Sequence, residues 1–85
     1  MTSRIALIGI IVEDAQSVET INQLLHENSE YIIGRMGVPY REKKISIISV
    51  TLDAPGNVIS SLSGKLGMLK GVSTKTVYAP ESVGN

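Results

Sequence analysis

Two stretches of the chain are apolar at odd and at even positions alike, and that pattern restricts the fold more than any other feature. In residues 4–13, Ala6, Ile8, Ile10 and Val12 fall on one register and Ile5, Leu7 and Ile11 on the other. Residues 44–52 repeat it, with Ile48, Val50 and Leu52 against Ile45 and Ile47. Both runs are short and rich in β-branched residues, which favours strands over helices. A strand of this kind belongs in the middle of a sheet, and both faces of that sheet then need cover.

Helical spacing fills the intervals. Asp14 is placed to cap a helix in which Val18, Ile21, Leu24 and Leu25 form one apolar stripe, with Glu19, Asn22, Gln23, His26 and Glu27 toward solvent and Asn28-Ser29 as its stop. Residues 31–36 read as a strand and residues 37–42 as a turn region. Asp53 reads as the cap of a second helix, with Pro55 in its first turn, where a missing N–H leaves no orphan donor. Val58, Ile59, Leu62, Leu66 and Leu69 recur at helical spacing, and Gly67 is the expected stop. A last strand over 72–78 follows Gly71, and residues 79–85 read as a loose tail.

The order is thus β-α-β-β-α-β in one domain over residues 4–78. That is an α+β, ferredoxin-like split βαβ sandwich: a four-stranded antiparallel sheet with strands one and three at its centre and both helices on one face. Helices cover only one face. The apolar residues on the other predict cover by a further copy of the chain, as a homodimer or homotetramer, and a chain of 85 residues has little core to spare.

Composition narrows the chemistry. Eight Lys and Arg against eight Asp and Glu give zero net charge, so no electrostatic footprint for nucleic acid or an anionic membrane is expected. The absence of cysteine removes disulfides, thiolate metal sites and cysteine nucleophiles, and a single histidine, His26, makes no metal cluster. The eight apolar residues 5–12 are too few for a membrane span, which needs about 20, and they lack the flanks of a signal peptide. The cytoplasm is the expected compartment.

The polar residues that folding explains least are in the second hairpin, namely Arg35, Tyr40, Arg41, Lys43 and Lys44. This group could grip an anion, or it could be a solvated hairpin tip. Arg35 stands apart, since a guanidinium inside a strand needs a partner. Ser63-Gly64-Lys65 lacks the Gly-x-x-x-x-Gly-Lys spacing of a phosphate loop. Gly64 inside a helix suggests close helix–sheet packing and Gly9 inside a strand a bulge or close packing, with close approach of a ligand as the second account of both. Glu13 and Asp14 point to opposite faces as strand neighbours, and no serine has a base placed to activate it. No catalytic constellation, metal site or cofactor site is expected.

The runs Tyr31-Ile32-Ile33-Gly34-Arg35-Met36-Gly37-Val38-Pro39-Tyr40-Arg41, Ile45-Ser46-Ile47-Ile48-Ser49-Val50, Asp53-Ala54-Pro55, Ser60-Ser61-Leu62-Ser63-Gly64-Lys65-Leu66-Gly67 and Gly71-Val72-Ser73-Thr74-Lys75-Thr76-Val77-Tyr78 together resemble the iron-only hydrogenase system regulator family. The resemblance covers residues 4–78 and implies an ACT-like domain similar to the C-terminal domain of the nickel-responsive repressor. It implies a non-enzymatic, oligomeric regulatory module of that hydrogenase system. Three features depart from such relatives: no His and Cys ligand set for nickel, no DNA-binding arm ahead of the first strand, and no glycine in the turn Glu13-Asp14-Ala15-Gln16-Ser17. Two functions follow as expectations. One is self-association through the sheet with sensing of a small effector at or near the interface, with Arg35, Tyr40, Arg41 and Lys65 as the contacts. The other is ligand-free docking onto a hydrogenase maturation protein or a transcription factor. The effector, the choice of dimer or tetramer, and whether regulation acts on transcription or on assembly stay open.

Overall fold

Strand β1, Ser3–Val12, runs through the middle of the molecule, with β3, Ile45–Pro55, on one side and β4, Val72–Tyr78, on the other. Strand β2, Ile32–Tyr40, lies outside β3, so the antiparallel sheet has the order β2-β3-β1-β4. Helices α1, Val18–Glu27, and α2, Gly56–Gly67, pack on one face. The computed structural model describes residues 3–80. The architecture is the one expected from the two doubly apolar runs, which occupy the two central positions.

One register of each central strand enters the core. Ala6, Ile8, Ile10 and Val12 of β1 and Ile48, Val50, Leu52 and Ala54 of β3 are buried with Ile21 and Leu25 of α1, Ile59, Leu62 and Leu66 of α2, and Val72 of β4. Burying one such aliphatic side chain contributes roughly 1.5–3 kcal/mol, so this cluster is the main source of stability. Tyr78 packs beside it and carries the Arg4 guanidinium 4.4 Å from its ring centroid.

Two expected boundaries move. Strand β2 does not end at Met36; Gly37, Val38, Pro39 and Tyr40 continue it, pairing with Ile48, Ile47, Ser46 and Ile45. The hairpin turn is a short 3₁₀ segment, Arg41–Lys43, closed by Lys44 at φ 56° and ψ 39°. Asp53 caps no helix. It pairs with Ile5 inside β3, because the ten-residue β1 draws its partner out as far as Pro55. Helix α2 begins after Pro55 with no side-chain cap.

The turn after β1 is tied to the loop before β4. Asp14 caps a 3₁₀ turn, Ala15–Ser17, rather than α1 directly, by accepting from the Gln16 N–H at 2.9 Å. Ser17 donates to the Lys70 carbonyl at 2.7 Å, and the Glu13 N–H donates to the Gly71 carbonyl at 2.7 Å. Gly71 has φ +70°, and a Cβ there would stand 2.7 Å from that of Asp14. Gly64 and Gly9, expected at tight contacts, are not. A Cβ on Gly64 would meet nothing within 4 Å, one on Gly9 only the Lys75 carbonyl at 3.9 Å, and β1 pairs through Gly9 without a bulge. The bulge in the sheet lies in β2, between Ile32 and Gly34. Of the expected tail, Ala79 donates to the Ile5 carbonyl at 2.9 Å and accepts from Arg4 Nη2 at 3.4 Å; residues 81–85 lie outside the described residues.

Candidate functional site

The second hairpin and the first turn of α1 enclose two adjoining hollows. Arg35 pairs with buried Val50, so its side chain starts on the helix-covered side of the sheet. There its Nη2 donates to Asn22 Oδ1 on α1 at 2.9 Å. That bond supplies the partner an intrastrand guanidinium requires, and it brings an arginine to the rim of a hollow of about 290 Å³ lined also by Val18, Gly37, Pro39 and Ser46. Gly37 and Pro39 are the small helix-facing residues of β2, and their lack of bulk opens the space.

The second hollow, about 200 Å³, lies toward the hairpin turn. Val12, Ala15, Val18 and Pro39 give it apolar walls, and Tyr40, Arg41 and Lys44 stand at its mouth. The Tyr40 hydroxyl donates to Glu42 Oε2 at 3.1 Å. The structure therefore gathers three of the four expected contacts, Arg35, Tyr40 and Arg41, along one groove. It does not bring Lys65 to them. Lys65 is exposed on α2 and lines a separate hollow with Asn28, Asn57 and Ser61. Asn22 is a groove residue that sequence reasoning passed over, and Lys44, though in the basic hairpin group, was not among the four expected contacts. Asn22 is one helical turn beyond Val18, a signal that its side chain shares that flank of α1.

The opposite face of the sheet is uncovered and apolar. By strand register it presents Leu7 and Ile11 of β1, Met36, Val38 and Tyr40 of β2, Ile47 of β3 and Val77 of β4, all of them exposed. Among the described residues nine large hydrophobics are exposed, and these seven share one surface. Asp53 and Lys75 are the charged strand residues on that face. Over Gly9 lies a shallow depression of about 250 Å³, lined by Ile11, Ile47, Ser49, Ser73 and Lys75.

Among the described residues no group of three or more His, Cys, Asp or Glu could hold a metal ion, and no helix is long and apolar enough to cross a membrane.

A four-stranded antiparallel sheet in this strand order, with two helices on one face, places the chain in the ferredoxin-like, ACT-like class of α+β domains. It belongs to the TM1266-like family, described as "Iron-only hydrogenase system regulator, putative", whose model matches residues 4–76. The structure is similar to that of TM1266 from Thermotoga maritima, with 38% identity, a TM-score of 0.88, and coverage of 92% of this chain and 99% of that one. Two further likenesses concern the fold alone. The C-terminal domain of the MgtC protein from Mycobacterium tuberculosis has a TM-score of 0.73 at 10% identity, covering 92% of this chain and 89% of that one. A formyltetrahydrofolate deformylase from Pseudomonas putida has a TM-score of 0.64 at 13% identity, covering 89% of this chain and 29% of that one. No curated protein matches the chain significantly.

Proposed function

We propose that the chain is a non-enzymatic regulatory module of the iron-only hydrogenase system that assembles with further copies of itself through the uncovered sheet face and responds to a small effector. The observation that carries this reading is the gathering of seven exposed large hydrophobics on one sheet face. Seven exposed large hydrophobics on one face suit a protein partner better than a small substrate. The effector is held at the groove between α1 and β2, with Arg35, Tyr40 and Arg41 as contacts; Lys65 stays a candidate only through its own hollow on α2.

Charge placed on the face tests the assembly. Met36→Lys and Val77→Glu each replace a side chain that is 64% exposed in the single chain, so each chain should still fold, and its denaturation midpoint should fall only by the stabilisation that assembly adds. Sedimentation velocity should show the wild type as a dimer or tetramer and both variants as monomers. Variants that sediment like the wild type would remove the face from the assembly.

A second reading uses the same face for a different protein, a hydrogenase maturation protein or a transcription factor, without an effector. It is favoured by a wild-type chain that is monomeric and captures such a protein stoichiometrically under anaerobic conditions.

A further inference from the structure

The hollow nearer the hairpin turn has a lining that selects its guest. Its lining combines apolar Val12, Ala15, Val18 and Pro39 with two exposed cations, Arg41 and Lys44. No acidic residue lines it or the adjoining hollow. The carboxylates nearby are engaged elsewhere: Asp14 accepts from the Gln16 N–H and lies 3.8 Å from Lys70 Nζ, and Glu42 accepts from the Tyr40 hydroxyl. A guest therefore places an apolar body inside and an anionic end outward, while an ammonium group inside would be desolvated without a partner. At about 200 Å³ the space is below the roughly 300–1,000 Å³ of drug-sized pockets, so the guest has only a few carbons.

Lys44 adds an independent observation. It is the one non-glycine residue with positive φ among the described residues, at 56°. The turn needs this backbone conformation, since the Lys44 N–H closes it on the Arg41 carbonyl at 3.2 Å, but glycine would adopt it with less strain. Backbone strain of this kind concentrates where a side chain is needed for function. Here the side chain puts a second cation at the mouth of the hollow.

We infer that this hollow binds a small aliphatic carboxylate lacking an amino group, with the carboxylate between Arg41 and Lys44 and the hydrocarbon against Val12, Val18 and Pro39. The inference rests on the effector-sensing reading and names the class of effector. An amino acid of the same size is rejected because its α-ammonium, on the carbon beside the carboxylate, is brought up against the Arg41 and Lys44 cations with no lining carboxylate to balance it.

The test is an amide NMR titration of the full chain with four probes: isovalerate, leucine, isopentylamine and inorganic phosphate. Isovalerate should give saturable shifts at Val12, Ala15, Val18 and Lys44, and each of the other three should bind at least about tenfold more weakly. Lys44→Gly should keep or raise the denaturation midpoint while weakening isovalerate about tenfold, the scale of one lost charge-assisted contact. Arg41→Gln should weaken it similarly with the turn backbone left in place. Leucine binding as tightly as isovalerate, no saturation, shifts confined to other residues, or full affinity in Lys44→Gly would each overturn the inference. If the wild type assembles and isovalerate does not bind, this inference alone fails; if the wild type is a monomer, the assembly reading fails whatever the titration shows.

Discussion

Gly71 and Gly64 show how the same residue type carries opposite meanings at two positions. Gly71 sits at φ +70° with the Asp14 Cβ and backbone nitrogen 2.7 Å and 2.9 Å from where its own Cβ would be. Gly71→Ala combines an unfavourable backbone conformation with a clash against main chain that has no room to give. A loss of about 2 kcal/mol or more is expected in urea denaturation; a loss under about 0.5 kcal/mol would mean that the two loops part without cost. Gly64 occupies an exposed helical position with nothing within 4 Å. Gly64→Ala should raise stability by about 0.5–1 kcal/mol, because alanine restricts the unfolded chain and favours the helix. Destabilisation by this change would contradict the open space at α2. The sequence placed Gly64 in a helix and Gly71 in a loop, but the close approach of Asp14 that makes Gly71 indispensable comes from a residue distant in the chain.

At the scale of elements, the turn after β1 and the loop before β4 behave as one unit. Ser17 and Asp14 hold it from one side, through the Ser17 hydroxyl on the Lys70 carbonyl and the Asp14 cap on Gln16. The Lys70 to Asp14 ion pair at 3.8 Å, with the Lys70 side chain 86% exposed, adds little. Ser17→Ala should cost about 1 kcal/mol by loss of one hydrogen bond, and Asp14→Ala about 1 kcal/mol by loss of the cap. Both substitutions loosen the same junction, so a double-mutant cycle should return a coupling of at least about 0.5 kcal/mol. Strict additivity would show the two bonds to be independent. The elements themselves were legible from periodicity: Ile21 and Leu25 of the first stripe, Ile59, Leu62 and Leu66 of the second, and one register each of β1 and β3 are buried, with Val18, Leu24, Val58 and Leu69 half-buried beside them. Two boundaries were not, for physical reasons. Gly37 and Pro39 carry turn chemistry, but β2 is an edge strand, where a proline can be accommodated without breaking a two-sided ladder. Asp53 carries cap chemistry, but pairing with Ile5 extends β3 past it. Local propensity yields in both places to the length of the neighbouring strand.

At the scale of the molecule, the face that points away from the helices sets the account of function. The doubly apolar β1 and β3 made that face legible in the sequence, and β2 and β4 extend it with Met36, Val38 and Val77. The groove was only half legible. The basic hairpin was visible, yet Lys65 was grouped with it because helical and hairpin cations cannot be placed relative to one another before the fold is known. Assembly falls to the open face and effector binding to the far edge beside α1, and the two meet at Tyr40, which belongs to the open face by strand register and also lines the hollow. Native mass spectrometry of the intact chain, set against its denatured mass, tests the central claim most directly. The account predicts a dimer or tetramer, with any bound effector appearing as extra mass lost on denaturation. A monomer as the dominant species at micromolar concentration would contradict it and assign the open face to a different protein.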